Sequence, residues 1–189
     1  MLFRSPSPRT VRWRSLDGEG LEHLDLLPKS DGSLLVRGVI IGGRSGETYG
    51  VRYAIACDAR WHVRHFGIET TSGCSLSLSS DGEGRWFSDD GTPRPALDGC
   101  VDIDLAGTPF TNTLPIRRLA LRPEDGPRQL TMLYIPFDRF EPVIDRQIYT
   151  CLVPGALYRY QAADRSFSAD LPVDADGLVT DYPTLFQRV

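Results

Sequence analysis

Apolar and polar residues alternate with a period of two along most of this chain. Tyr49, Val51, Tyr53, Ile55 and Cys57 form one apolar face of a single run. Val11 and Trp13 alternate with Arg12 and Arg14, Leu76 and Leu78 with serines, and Val101 and Ile103 with Asp102 and Asp104. Leu157, Arg159 and Gln161 oppose Tyr158 and Tyr160, and Phe167, Ala169 and Leu171 oppose Ser168 and Asp170. Successive side chains of an extended strand leave opposite faces, so the pattern predicts half-buried strands. Asp-Gly pairs at residues 17, 31, 81, 90, 98, 125 and 176 punctuate these runs. Asp tolerates the left-handed region and Gly enters it without steric cost, so each pair predicts a tight turn.

Helical periodicity is nearly absent. In the stretch from Glu19 to Leu27 the Leu24-Asp25-Leu26 alternation favours a strand. The best helix candidate runs from Thr108 to Leu119, with Thr108 as cap and Pro109 in the first turn. Pro115 is expected to interrupt it, giving a short helix or an irregular lid. Pro136, Pro142 and Pro154 predict strand edges or loop entries. About a dozen strands in one chain require two packed sheets or a closed or half-closed barrel, and a barrel of eight or more strands can enclose a ligand. The expectation is one antiparallel, mainly β domain over residues 1–189, barrel-like and with short helices at most.

Composition narrows the function classes. The net charge of −4 over 189 residues gives no general attraction to nucleic-acid phosphates or anionic lipid headgroups. Positive charge is almost all arginine, Lys29 being the sole lysine. Cys57, Cys74, Cys100 and Cys151 include no closely spaced pair, which disfavours a zinc knuckle or redox motif; their even number permits disulfides without requiring them. There is no apolar run of signal-peptide or membrane-span length, so a cytoplasmic location with reduced thiols is expected. Gly42-Gly43-Arg44-Ser45-Gly46 lacks the lysine of a phosphate loop and reads as a hairpin, and no dinucleotide fingerprint is complete. No cofactor and no metal are predicted.

Several segments, in order along nearly the whole chain, resemble a bacterial family described as putative glycolipid-binding, formerly a domain of unknown function. They are Trp13-Arg-Ser-Leu-Asp-Gly-Glu-Gly-Leu-Glu-His-Leu24, Tyr49-Gly-Val-Arg-Tyr53, Cys57-Asp-Ala-Arg-Trp61 and Ser80-Asp-Gly-Glu-Gly-Arg-Trp86. Leu97 to Leu105, Thr108 to Arg118, Ala169 to Val173 and Asp181-Tyr-Pro183 complete the set. The resemblance implies a fold like the half-open barrels of lipoprotein-localisation factors, which hold acyl chains in an apolar hollow. It also implies non-covalent binding of a lipid or glycolipid, and it carries no catalytic residues.

Candidate ligand residues follow from side-chain chemistry. Trp86 can stack on a sugar ring, and Arg117 or Arg118 can grip a phosphate or carboxylate with a planar fork. Arg85, Tyr53, Trp61 and Tyr149 complete the expected mouth and wall of a cavity, and a structural role in packing or ion pairs is the competing reading for all seven. Asp98, Asp102 and Asp104 can hold a divalent cation, but plain strand alternation with solvent-facing aspartates accounts for them equally. Asp174-Ala175-Asp176-Gly177 with Asp181 is a partial calcium-loop pattern that a turn explains better. An alternative to binding is an enzyme using His23 with Glu19 or one of the aspartates at 98–104, which requires those groups to share one cleft. A protein–protein adaptor is the third possibility and requires a large exposed apolar patch.

Overall fold

In the computed structural model, residues 2–44, 46–137 and 140–189 are described. The first seven strands are β1 (Arg9–Ser15), β2 (Leu21–Pro28), β3 (Leu34–Arg44), β4 (Glu47–Cys57), β5 (Val63–Thr70), β6 (Ser75–Ser80) and β7 (Trp86–Ser88). They form an antiparallel meander in chain order. β8 (Asp102–Leu105), β9 (Arg128–Ile135), β10 (Val143–Val153), β11 (Leu157–Ala162) and β12 (Ser168–Pro172) form a second, five-stranded sheet. The last strands, β13 (Asp181–Tyr182) and β14 (Phe186–Arg188), return to the first sheet, where β14 pairs with β1 and extends it to nine strands. β8 departs from the antiparallel expectation, because it runs parallel to β9. Its crossover contains the single α-helix among the described residues, α1 (Thr113–Leu119).

The seven predicted Asp-Gly turns form, and each of their glycines has a positive φ between 65° and 92°. A 3-10 turn over Pro109–Asn112 precedes α1, and its Thr108 cap accepts a hydrogen bond from the Phe110 amide at 3.0 Å. Pro115 does not interrupt α1. It falls in the first turn, where the amide it lacks has no intrahelical partner.

The nine-stranded sheet curls into a half-barrel. Its inward face carries the residues that the alternation assigned to it, including Val11, Trp13, Leu24, Val51, Tyr53, Ile55 and Leu78, all buried, and adds Val36 of β3. The inside of the curl is filled rather than hollow. Phe110 and Leu114, from the segment between β8 and β9, pack there with Ile103, Leu105, Leu133 and Ile135. A second cluster joins Tyr149, Cys151, Tyr158, Leu171 and Tyr182 to Phe3 and Ile116 of α1. The four cysteines are free thiols, Cys74 exposed and the others buried. Among the described residues no helix is long and apolar enough to cross a membrane.

Candidate functional site

Where the two sheets diverge, the molecule opens into a groove of two lobes. The first, about 290 Å³, lies between β1–β4 and the 106–107 turn. The second, about 500 Å³, lies between β8–β11 and the C-terminal strands. They share Ala106, Gly107, Leu185 and Phe186, so the lobes adjoin at these residues. Close approach needs glycine at two points. A Cβ on Gly42 would lie 2.9 Å from the Tyr49 hydroxyl, and one on Gly107 (φ +81°) would lie 3.0 Å from the Phe137 ring.

The walls are aromatic. Tyr49 meets Phe137 edge-on at 5.2 Å in the first lobe. In the second, Tyr160, Phe167, Tyr182 and Phe186 form a chain of ring contacts at 6.0–6.3 Å. Tyr149 continues it beneath the surface, 5.7 Å from Tyr160. Leu21, Ile41, Val143, Ile144 and Leu185 edge the opening, each with at least 40% of its surface exposed.

The floor is polar and holds two carboxyl groups with no cation beside them among the described residues. Glu22 lines the first lobe and is 2% exposed. Tyr53 donates a hydrogen bond to its Oε1, while its Oε2 has no partner. Burial pushes the Glu22 carboxyl up to about 8, against the opposing hydrogen bonds from Tyr53 and Thr108. Glu22 therefore carries its proton at neutral pH. Tyr53 already donates to Oε1, so the proton belongs on Oε2.

In the second lobe, Asp104 accepts from Gln147 Nε2 at 2.6 Å and from the Thr111 hydroxyl at 3.2 Å. Its residue surface is only half-buried, but the carboxyl itself sits deep. Burial raises its pKa, the two hydrogen bonds oppose the rise, and Asp145 adds to it. Tyr149 donates to Asn112 Oδ1 at 2.9 Å, which fixes the amide that lines the same lobe. Thr108 lines the second lobe and hydrogen-bonds toward Glu22, tying the two floors together. Asp17 and Asp145 add two acids to the lining, and no arginine or lysine is among the described lining residues.

Of the residues singled out by sequence, Tyr53 and Tyr149 support this floor. The other five lie elsewhere. Trp86 is fully buried against Phe66, with its indole N–H donated to the Cys100 carbonyl at 2.8 Å, so it has no face free for a sugar. Arg118 forks onto buried Asp102, with its closest contact at 2.5 Å. Asp102 is thus an internal ion-pair partner and not the solvent-facing residue its alternation suggested. Arg117 lies 4.2 Å over the Trp61 ring and 5.3 Å from the Phe3 ring, and it donates to the Asp176 carbonyl. Trp61 is itself buried. Arg85 is exposed, 4.0 Å from Asp81.

His23 projects from the outer face of β2, where Arg12 donates to it, while its neighbour Glu22 points inward. It therefore shares no cleft with the groove carboxyls. A larger hollow of about 650 Å³ lies on that outer face, lined by His23, Asp25, Arg37, Arg52 and Glu69. Arg52 and Glu69 pair with each other there at 2.5 Å. That hollow holds no desolvated, unpartnered group, and this is why the groove is the stronger candidate. Tyr160, Tyr182 and Phe186 were not anticipated as site residues. They come from β11, β13 and β14, and their only sequence signal is that each is an aromatic residue in the C-terminal part of the chain.

A family model described as "Putative glycolipid-binding" matches residues 10–188. The structure is similar to the crystal structure of a DUF1089 family protein from Pseudomonas aeruginosa, with a TM-score of 0.78 and 39% sequence identity, covering 100% of this chain and 96% of that one. No curated protein matches the chain.

Proposed function

This chain belongs to the putative glycolipid-binding family, and from that premise we propose that it binds one lipid or glycolipid molecule non-covalently in the two-lobed groove. The observation that carries this reading is a pair of adjoining cavities with aliphatic edges, aromatic walls and a floor of hydrogen-bonding groups. Ligand sites take this form generally, with apolar walls supplying affinity and a few fixed polar groups supplying orientation. Aromatic rings of this size each offer a broad apolar face to a sugar or an alkyl chain. Each buried methylene of an acyl chain contributes about 0.8 kcal/mol, so a short stretch along the walls suffices for useful affinity.

The filled half-barrel redirects the expected location of the ligand, from a hollow within the curl to the gap between the sheets. The acidic floor suits hydroxyl donors and repels nucleic-acid backbones. The test is titration of the purified protein with a short-chain glycolipid below its micelle concentration, followed by calorimetry. Saturable one-to-one binding that is lost in a Tyr160→Ser, Phe186→Ser variant retaining its fold by circular dichroism is the expected result. Binding that survives this variant, or its absence in the native protein, would refute the groove as the site.

A further inference from the structure

We propose that the groove selects its ligand by headgroup charge, accepting uncharged and amine-bearing sugars and rejecting phosphate, sulfate and carboxylate headgroups, with the aspartates Asp17, Asp104 and Asp145 of the lining setting the charge preference and Glu22 acting as a hydrogen-bonding group. This rests on the reading of the groove as the lipid site and adds to it the chemical class of the head.

Three observations converge. Glu22 is 2% exposed and lines the first lobe, and one of its oxygens has no hydrogen-bond partner. A buried polar atom without a partner is costly, and the cost is removed when a ligand atom supplies the missing bond. Asp104, half-buried as a residue with its carboxyl set deep, lies on the floor of the second lobe, with both oxygens already held in place by Gln147 and Thr111. A carboxylate oxygen has a second lone pair, so each can accept once more from a sugar hydroxyl or an ammonium group. Finally, Asp17 and Asp145 share the lining and no basic residue does among those described. The arginines that a phosphate would need are committed elsewhere, Arg118 to Asp102 and Arg117 to the Asp176 carbonyl and the Trp61 ring.

An anionic head entering this lining meets like charge in a partly desolvated site, where repulsion is several times stronger than in bulk water. A neutral sugar meets only hydrogen-bond acceptors and the Glu22 acid proton. An ammonium group gains an ion pair that no residue of the described lining supplies.

The experiment compares three eight-carbon amphiphiles by calorimetry at pH 7 and low ionic strength, below their micelle concentrations: octyl β-glucoside, an octyl glycoside of glucosamine, and octyl phosphate. The expected order of affinity is the glucosamine glycoside, then the glucoside, then the phosphate, with octyl phosphate at least tenfold weaker than the glucoside. Asp104→Asn, which keeps a carbonyl acceptor for Gln147, should narrow the gap between the amine-bearing and phosphate ligands at least threefold, and an unchanged gap would overturn the part assigned to Asp104. Octyl phosphate binding as tightly as the glucoside would overturn the charge selection while leaving the groove a lipid site. Failure of all three to bind would overturn the groove reading and this inference with it.

Discussion

Carboxyl groups at two ends of this molecule have opposite surroundings. Near the C-terminus, Asp174 and Asp176 are enclosed by arginines: Arg4 and Arg9 on Asp176, and Arg9 and Arg188 on Asp174 at 3.2 and 2.6 Å. The Asp176 side chain has no exposed surface, and these arginines hold its carboxyl below the usual carboxylate range, against burial. Asp174 Oδ1 accepts from the amides of Asp176 and Leu178, so the segment that resembles a calcium loop is a turn whose acids already have their counter-ions. At the groove, Glu22 and Asp104 are also buried at their carboxyls, but among the described residues no cation faces them, and both are pushed up. Where charge serves the fold it is matched; where it is left unmatched in a cleft, it marks a site that something else completes.

The sharpest way to break this contrast is to remove an acid from the matched side. Asp176→Ala strips Arg4 and Arg9 of their shared partner beside half-buried Arg117. Asp176 is buried, but the Arg4 and Arg9 side chains keep 56% and 28% of their surface exposed, so the loss falls below that of a fully buried pair, at about 1–3 kcal/mol. Urea denaturation at pH 7 should show a loss in that range with the slope unchanged. A loss under about 1 kcal/mol would mean that the cluster is ornamental to the fold.

Comparable in size is the effect of pH on the unmatched side. The Glu22 carboxyl titrates near 8 in the folded chain and near 4.5 when unfolded. Between those values the unfolded chain has released a proton that the folded chain keeps, so stability falls as pH rises through this window. Glu22→Gln abolishes that slope. It should leave stability nearly unchanged at pH 4.5 and raise it by about 1–3 kcal/mol at pH 8.5. Asp176 acts with the opposite sign: its contribution is complete above its unfolded value of 3.8 and is lost as pH falls through the lower folded value. Thermal melts of the native protein and the Gln variant at pH 4.5 and 8.5 check the Glu22 slope, and parallel pH dependence in the two proteins would refute the assignment to Glu22; the Asp176 loss is read from melts below pH 3.8.

Much of the scaffold was legible because it is local. The period of two gave β1, β2, β4 and β6 and their buried faces, and the Asp-Gly pairs gave the turns. Asp102 shows where that logic stops. Alternation marks it as solvent-facing, but β8 is a parallel strand covered by α1, and Arg118 closes over it from 16 positions along the chain. The groove failed to show for the same reason. It joins Glu22, Tyr49, Asp104 and Phe186, residues that meet only because β14 pairs with β1 and the two sheets diverge at Gly107. No local period records a pairing between the two ends of a chain. Glu22 was visible as an acid; its burial, which gives it its interest, was not.

The groove's edge offers a smaller and more local test. Ile144 and Leu185 are 48% and 40% exposed, so Ile144→Ser and Leu185→Ser should each alter stability by no more than about 0.5 kcal/mol. Each loses apolar area that a bound chain would cover, worth about 1 kcal/mol, and should weaken octyl glucoside binding about fivefold. Unchanged affinity in both would place the alkyl chain away from this edge.

The smallest effect is expected at Arg85, and its smallness is informative. An arginine on a turn after β6, rich in Asp-Gly chemistry and next to a tryptophan, has the sequence signature of a headgroup contact. In the fold its side chain is 77% exposed and only 4.0 Å from Asp81, whose carboxyl is already held by the amides of Glu83 and Arg85. An exposed ion pair of this length contributes little. The neighbouring Trp86 faces away into the core, so no ring stands beside Arg85 to form a sugar platform. Arg85→Ala should therefore leave both the melting temperature and the octyl glucoside affinity within measurement error. A tenfold loss of affinity would move the ligand to the β6–β7 turn, on a part of the sheet that contributes nothing to the groove, and the contrast between matched and unmatched carboxyls would then no longer point to the site.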